Sequence, residues 1–154
     1  IMPLSNPRRF PLERVILAVS ASTQTEVDER VPWLVKTPAA RRLLCLEPML
    51  GAIDLSRWMA TLDFVIVGGE TGPGARPMRP DWVRRVRDDC AAAGASFWFK
   101  GWGEWAPNRQ QPSEQIWPRE TAIERVGRRA AGRLLDGVEH NGMPEVKHGA
   151  TATE

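Results

Sequence analysis

Four short, unbroken apolar runs constrain this chain more than any other feature: residues 15–19 (VILAV), 43–46 (LLCL), 64–67 (FVIV) and 97–99 (FWF). Each is too brief for a helix, and none alternates apolar with polar residues as a strand with one wet face does. Continuous runs of this length suit strands buried on both faces of a parallel sheet. Helical spacing fills the intervals. After the first run, Val27, Val31, Leu34 and Val35 share a face, with Pro32 expected to interrupt the helix or to start a new turn there. After the third, Val83, Val86, Cys90 and Ala93 share a face, with Pro80 placed for its first turn and Gly94 for its C-terminal cap. A short helix over residues 54–60, carrying Trp58, is expected between the second and third runs. Strand and helix thus alternate at βα-unit intervals, which predicts parallel strands joined by right-handed crossovers.

The expected fold class is α/β, with parallel βα units forming part of a TIM-like barrel. The 154 residues fall short of the roughly 250 that a complete eight-unit barrel needs. Residues 1–106 are read as the partial barrel and 107–146 as a loop with a small appended C-terminal element. The loop is Gln- and Pro-rich at 108–118, and a turn at Leu135, Asp136 and Gly137 suggests a small hairpin. Residues 147–154 are read as a disordered tail. An isolated sheet of this size leaves its first strand as an open edge, so a marginal, aggregating or dimeric product is expected.

Composition excludes some classes of function. No apolar run approaches the roughly 20 residues of a membrane span, and no signal segment opens the chain. Cys45 and Cys90 are isolated, suggesting neither a disulfide framework nor a cysteine metal site; a reducing cytoplasm fits best. A net charge of +2 is too small to argue for nucleic acid by itself.

In a parallel sheet the C-terminal strand ends share one rim, where ligands bind. Here that rim would carry Ser20 and Ser22 from the first strand, Glu47 from the second, the loop 68–76 from the third, and Lys100 with Trp102 and Trp105 from the fourth. The loop 68–76 (GGETGPGAR) allows close backbone approach to an anion at Gly68 and Gly69, with Arg76 as a fork of donors. It has no Gly-Lys-Ser/Thr and so is not a Walker loop; it serves equally as a tight turn that needs glycine. Glu47 is read as a ligand-binding group or a partner for a barrel cation. Glu70 and Lys100 are the candidate catalytic pair, or else an ion pair between neighbouring strands. Trp102 and Trp105 are candidates to stack on a base or to form a lid. Arg84, Arg85 and Arg87 share a helix with three aspartates and read as a solvated face. Arg125, Arg128, Arg129 and Arg133 form a stronger basic cluster that could meet phosphates or simply be solvated. His140 and His148 have no metal-ligand spacing.

Several stretches together resemble the phage-derived gp thirty-seven/gp sixty-eight family, a domain family of unassigned function. They are residues 29–32 (ERVP), 37–40 (TPAA), 46–51 (LEPMLG), 65–77 (VIVGGETGPGARP), 81–84 (DWVR), 99–105 (FKGWGEW) and 132–137 (GRLLDG). The resemblance implies a fold similar to the partial barrel of radical S-adenosylmethionine enzymes. It also implies a longer N-terminal part bearing a three-cysteine motif for an iron–sulfur cluster, so that this chain is the C-terminal portion. On that basis S-adenosylmethionine and the cluster belong to the full-length parent. Ser20, Ser22 and Glu47 would face the cofactor. Glu70, Arg76 and Lys100 would face the substrate, with Gly68, Gly69 and Trp102 beside them. The chain departs from the family pattern in having Ser22 where Glu is usual, Gly101 where Gln is usual and His140 where Trp is usual. Three functions remain open: a radical enzyme acting on nucleic acid or a nucleotide, a binder of a phosphate-bearing ligand or nucleic acid, and an inactive truncated remnant.

Overall fold

The computed structural model describes residues 11–107 and 123–144. The expected loop at 108–118 and tail at 147–154 lie outside the described residues.

All four apolar runs are strands: β1 (Ile16–Ser20), β2 (Arg41–Leu46), β3 (Phe64–Gly68) and β4 (Ser96–Gly101). They form one sheet in the order β1-β2-β3-β4, and every pairing is parallel. The sheet is open, so the barrel expectation reduces to a mixed α/β fold built on a four-stranded parallel sheet.

Helix α1 (Gln24–Lys36) starts where Thr23 accepts a hydrogen bond from the Glu26 backbone N–H, while the Glu26 carboxylate takes the Ser22 N–H at 2.6 Å. Pro32 does not interrupt it; the helix runs through. An internal proline costs about 3 kcal/mol, because the bond to the carbonyl four residues back is lost. Burying Val27, Val31 and Leu34 at about 1.5–3 kcal/mol each outweighs that. Helix α2 (Pro80–Ala93) has Pro80 in its first turn and ends on Gly94 at φ 71°, the left-handed conformation that favours glycine. Val83, Val86 and Cys90 are fully buried, but Ala93 is exposed and lies off the packed face.

The expected helix at 54–60 is instead a single 3₁₀ turn at Met59–Thr61. Burial rather than helical periodicity organises this stretch: Ile53, Leu55, Trp58, Met59 and Leu62 all enter the core. This loop takes the place of a covering helix between β2 and β3.

Register shows which face is covered. Val19, Leu44, Val65 and Phe97 align across the strands, as do Leu46, Val67 and Phe99. These side chains share one core with the buried residues of α1, of the 49–62 loop and of α2. Both helices therefore lie on a single face. The opposite face carries Ala18, Leu43, Cys45, Ile66 and Trp98; Ala18 is exposed and the others half-buried. The expectation of strands buried on both faces fails there, although Phe64 on that face is 2% exposed.

The two edges also differ. Residues 140–142 run antiparallel along β4: the Phe99 N–H donates to the His140 carbonyl at 3.0 Å and the Gly142 N–H to that of Phe97 at 2.9 Å. Among the described residues, no strand pairs with the free edge of β1.

Beyond β4 a small antiparallel pair joins β5 (Trp105–Pro107) to β6 (Ile123–Arg125), and a one-turn helix α3 (Arg128–Ala131) follows. The expected hairpin is present in its smallest form, with Leu135 bridging Val138 around Asp136 and Gly137, both at positive φ. Asp136 is gripped from α2 by Arg84 at 2.5 Å and Arg87 at 2.8 Å, which docks the segment on that helix.

Candidate functional site

Because all four strands point one way, their C-terminal ends meet at one end of the sheet. A cleft of about 390 Å³ opens there. Glu47, Gly69 and Thr71 line it from the ends of β2 and β3, and Lys100, Gly101 and Gly103 from β4. Arg128, Gly132 and Arg133 of the C-terminal segment line it as well.

Lys100 pairs with Glu47, Nζ to Oε2, at 2.7 Å, and both side chains keep substantial solvent contact. Gly68 makes room for this pair, since a Cβ there would sit 3.1 Å from the Glu47 carboxyl. The expected Glu70–Lys100 pair does not form. Glu70 instead holds Arg76 in a two-pronged grip, 2.8 Å to Nε and 2.7 Å to NH2, and also takes the Arg76 backbone N–H at 2.7 Å. The hydrogen bonds from the Arg76 side chain and backbone pull the Glu70 carboxyl down to about 2. A carboxylate so satisfied is too weak a base for proton transfer near neutrality. Neither Glu70 nor Arg76 lines the cleft.

The glycines of the loop 68–76 serve close packing. The Gly69 N–H donates to the Gly101 carbonyl at 2.9 Å and so is spent within the protein. A side chain on Gly69 would collide with the Trp102 carbonyl, and one on Gly103 (φ 77°) with the Glu70 carbonyl. The Glu104 N–H donates to that same Glu70 carbonyl at 3.0 Å, and the Glu104 carboxylate accepts from the Gly72 N–H at 3.2 Å. The two rim loops are thus interlocked through backbone.

Trp102 is 4% exposed, meets Phe99 edge-on at 4.9 Å, and donates its indole N–H to the Leu134 carbonyl at 2.9 Å. It is a core residue and offers no stacking face to a ligand. Trp105 donates its indole N–H to the Ala75 carbonyl at 2.7 Å.

Of the three residues expected to face a cofactor, Ser20 stands in register with Cys45, two residues before Glu47, and Ser22 follows just beyond β1. Ser20 is exposed on β1, with its carbonyl taken by Arg30. Both backbone groups of Ser22 are engaged, the N–H by Glu26 and the carbonyl by Leu50. Of the three only Glu47 lines the cleft. Among the described residues no three of His, Cys, Asp and Glu converge as a metal-binding group. Burial, then the Glu47 charge, pushes the Cys45 thiol up; burial, then Asp89, pushes Cys90 up to about 12. These are the chain's two cysteines and they stand on separate elements, β2 and α2, so the donor set present does not fit an iron–sulfur cluster, which needs more thiolates than that.

Arg128 and Arg133 are the site residues that sequence reasoning left on the surface. Their cluster is visible in the sequence, but nothing there shows that the Asp136 turn folds it back onto β4. The Trp102 N–H donates to the Gly132 carbonyl at 3.1 Å and fixes that return. Arg133 hydrogen-bonds Asn141, and its Nε lies 3.8 Å from Glu139. Among the described residues the cleft thus holds three cationic side chains against one carboxylate.

No helix among the described residues is long and apolar enough to cross a membrane. A family model described as a protein of unknown function, DUF5131, matches residues 3–144. No curated protein and no solved structure matches the chain.

Proposed function

The chain belongs to the DUF5131 family of proteins of unknown function, and from that premise we propose that it forms one side of an α/β barrel whose rim cleft binds a phosphate-bearing ligand. The cleft lining carries this reading. Among the described residues that line it, Lys100, Arg128 and Arg133 outnumber the carboxylate Glu47, and glycine backbone forms much of the remaining wall. A cleft of about 390 Å³ falls in the small-molecule range. Arginine forks match phosphate oxygens in pairs, while a lysine ammonium supplies a compact point charge. Glu47 orients Lys100 and is the group an arriving anion competes with.

The barrel setting is supported by winding. A doubly wound sheet reverses strand order and puts helices on both faces. Here the order never reverses, and both helices share one face. The half-exposed face with Leu43, Cys45, Ile66 and Trp98 then corresponds to a barrel interior, and the free β1 edge to the place where further strands join. On this reading the resemblance to radical S-adenosylmethionine enzymes applies to a longer parent, with the cluster-bearing cysteines outside this chain. When bound, a cluster and S-adenosylmethionine would supply radical chemistry; the residues here would hold the anionic part of the substrate.

Calorimetric titration with pyrophosphate tests the cleft. Lys100→Ala and Arg133→Ala should each weaken binding about tenfold, as loss of one charged hydrogen bond does, with the melting temperature nearly unchanged. Unchanged affinity with a lowered melting temperature would assign both residues to structure. A longer product bearing the three-cysteine motif, reconstituted anaerobically, should show cluster absorbance and cleave S-adenosylmethionine. Cleavage that survives loss of those cysteines would overturn the radical assignment.

A further inference from the structure

We infer that the phosphate-bearing ligand is a single strand of nucleic acid, one unit of which enters the cleft while Arg125 and Arg129 take neighbouring phosphates. This rests on the anion-binding reading above and extends it beyond the cleft. Residues 123–133 (IERVGRRAAGR) carry four arginines and one glutamate, a net +3, against +2 for the whole chain. The rest of the protein is therefore net −1, and the positive charge is concentrated on one short segment.

The pairing of these arginines separates them from the others. On α2, Arg84 and Arg87 are bound to Asp136, and Arg85 to Asp89. Those charges are locally neutralised. Among the described residues no carboxylate pairs with Arg125, Arg128 or Arg129, all of which are exposed. Arg125 also donates to the Gly72 carbonyl at 2.9 Å, which fixes the strip beside the rim loops. A basic strip leading into a cleft that already holds Lys100 and Arg133 follows a phosphate backbone.

The walls determine what can be read. They are largely backbone at Gly101, Gly103 and Gly132, and among the described residues no aromatic ring lines them. The indoles of Trp102 and Trp105 are anchored to main-chain carbonyls instead. Recognition is therefore through phosphate and sugar, without base readout. Reading a duplex takes an α-helix or a two-stranded ribbon laid into the major groove, and the four-residue α3 and the three-residue strands of the β5–β6 pair are too short to serve.

Fluorescence anisotropy of labelled oligo(dT) with the full chain tests this. Three to four phosphate contacts on a single strand should cost about 20–50-fold in affinity for a fourfold rise in salt. Arg129→Glu should weaken oligo(dT) binding about tenfold and leave pyrophosphate binding unchanged. Oligo(dT) affinity unaffected by Arg129→Glu, or a duplex bound as tightly as the single strand, would overturn the inference. Pyrophosphate binding that persists without oligo(dT) binding would sink this inference alone, whereas loss of both would sink the anion-binding reading as well.

Discussion

The two faces of the four-stranded sheet are built from similar residues but sit in different surroundings. Leu44 and Leu43 are adjacent in β2, yet Leu44 is fully buried under the helical layer and Leu43 is only half-buried on the other side. Strand propensity and apolarity do not distinguish them. The difference comes from topology: strands added always on the same side, with right-handed connections, place every connection on one face. Stability therefore resides on one face, and the other remains available.

The leucine pair gives the largest test of that contrast. Leu44→Ala should cost about 3–5 kcal/mol, because the fixed helices cannot collapse into the space. Leu43→Ala should cost about 1 kcal/mol, because its site is already open. Equal losses in chemical denaturation would mean that both faces are equally packed. The cysteines sharpen the same contrast. Cys90 is buried on α2, and Cys45 half-buried on the open face. In the native state Cys45 should alkylate at least about tenfold faster than Cys90, though slowly for a thiol, since burial and Glu47 raise its pKa. Matched rates would indicate opening of the helical layer.

The smallest effect concerns the rim. The folded-state pKa of Glu70 is about 2, below the ordinary 4.5. Its contribution is therefore complete above about pH 4.5 and is lost as pH falls through about 2. Exposure of Arg76 keeps that contribution small. A carboxyl NMR titration should place the Glu70 midpoint near 2, and a midpoint near 4.5 would mean that the grip on Arg76 does not form in solution.

Strand order, direction and shared rim were legible because unbroken apolar runs and βα spacing are local signals. One-sided burial was not legible, since a run such as LLCL reads the same whether one or both faces are covered. The Pro32 reading failed because tertiary burial outweighed a local cost. On the rim, the strand-end positions of Glu47, Lys100 and the glycine loop were legible, but their partners were not. Sequence position gave no reason for Lys100 to choose Glu47 over Glu70, because the Arg76 backbone and side chain capture Glu70 from within its own loop. Arg128 and Arg133 were seen as charges without a location, as β5, β6 and α3 are too short to leave a periodic pattern.

The grip on Asp136 has a mechanical consequence. Arg84 and Arg87 belong to the outer layer, while Arg133, three residues before Asp136, belongs to the wall of the cleft. The aspartate acts as a rivet between the two. The seating of α2, on the far side of the sheet from the open face, is thereby tied through one carboxylate to the segment that walls the cleft.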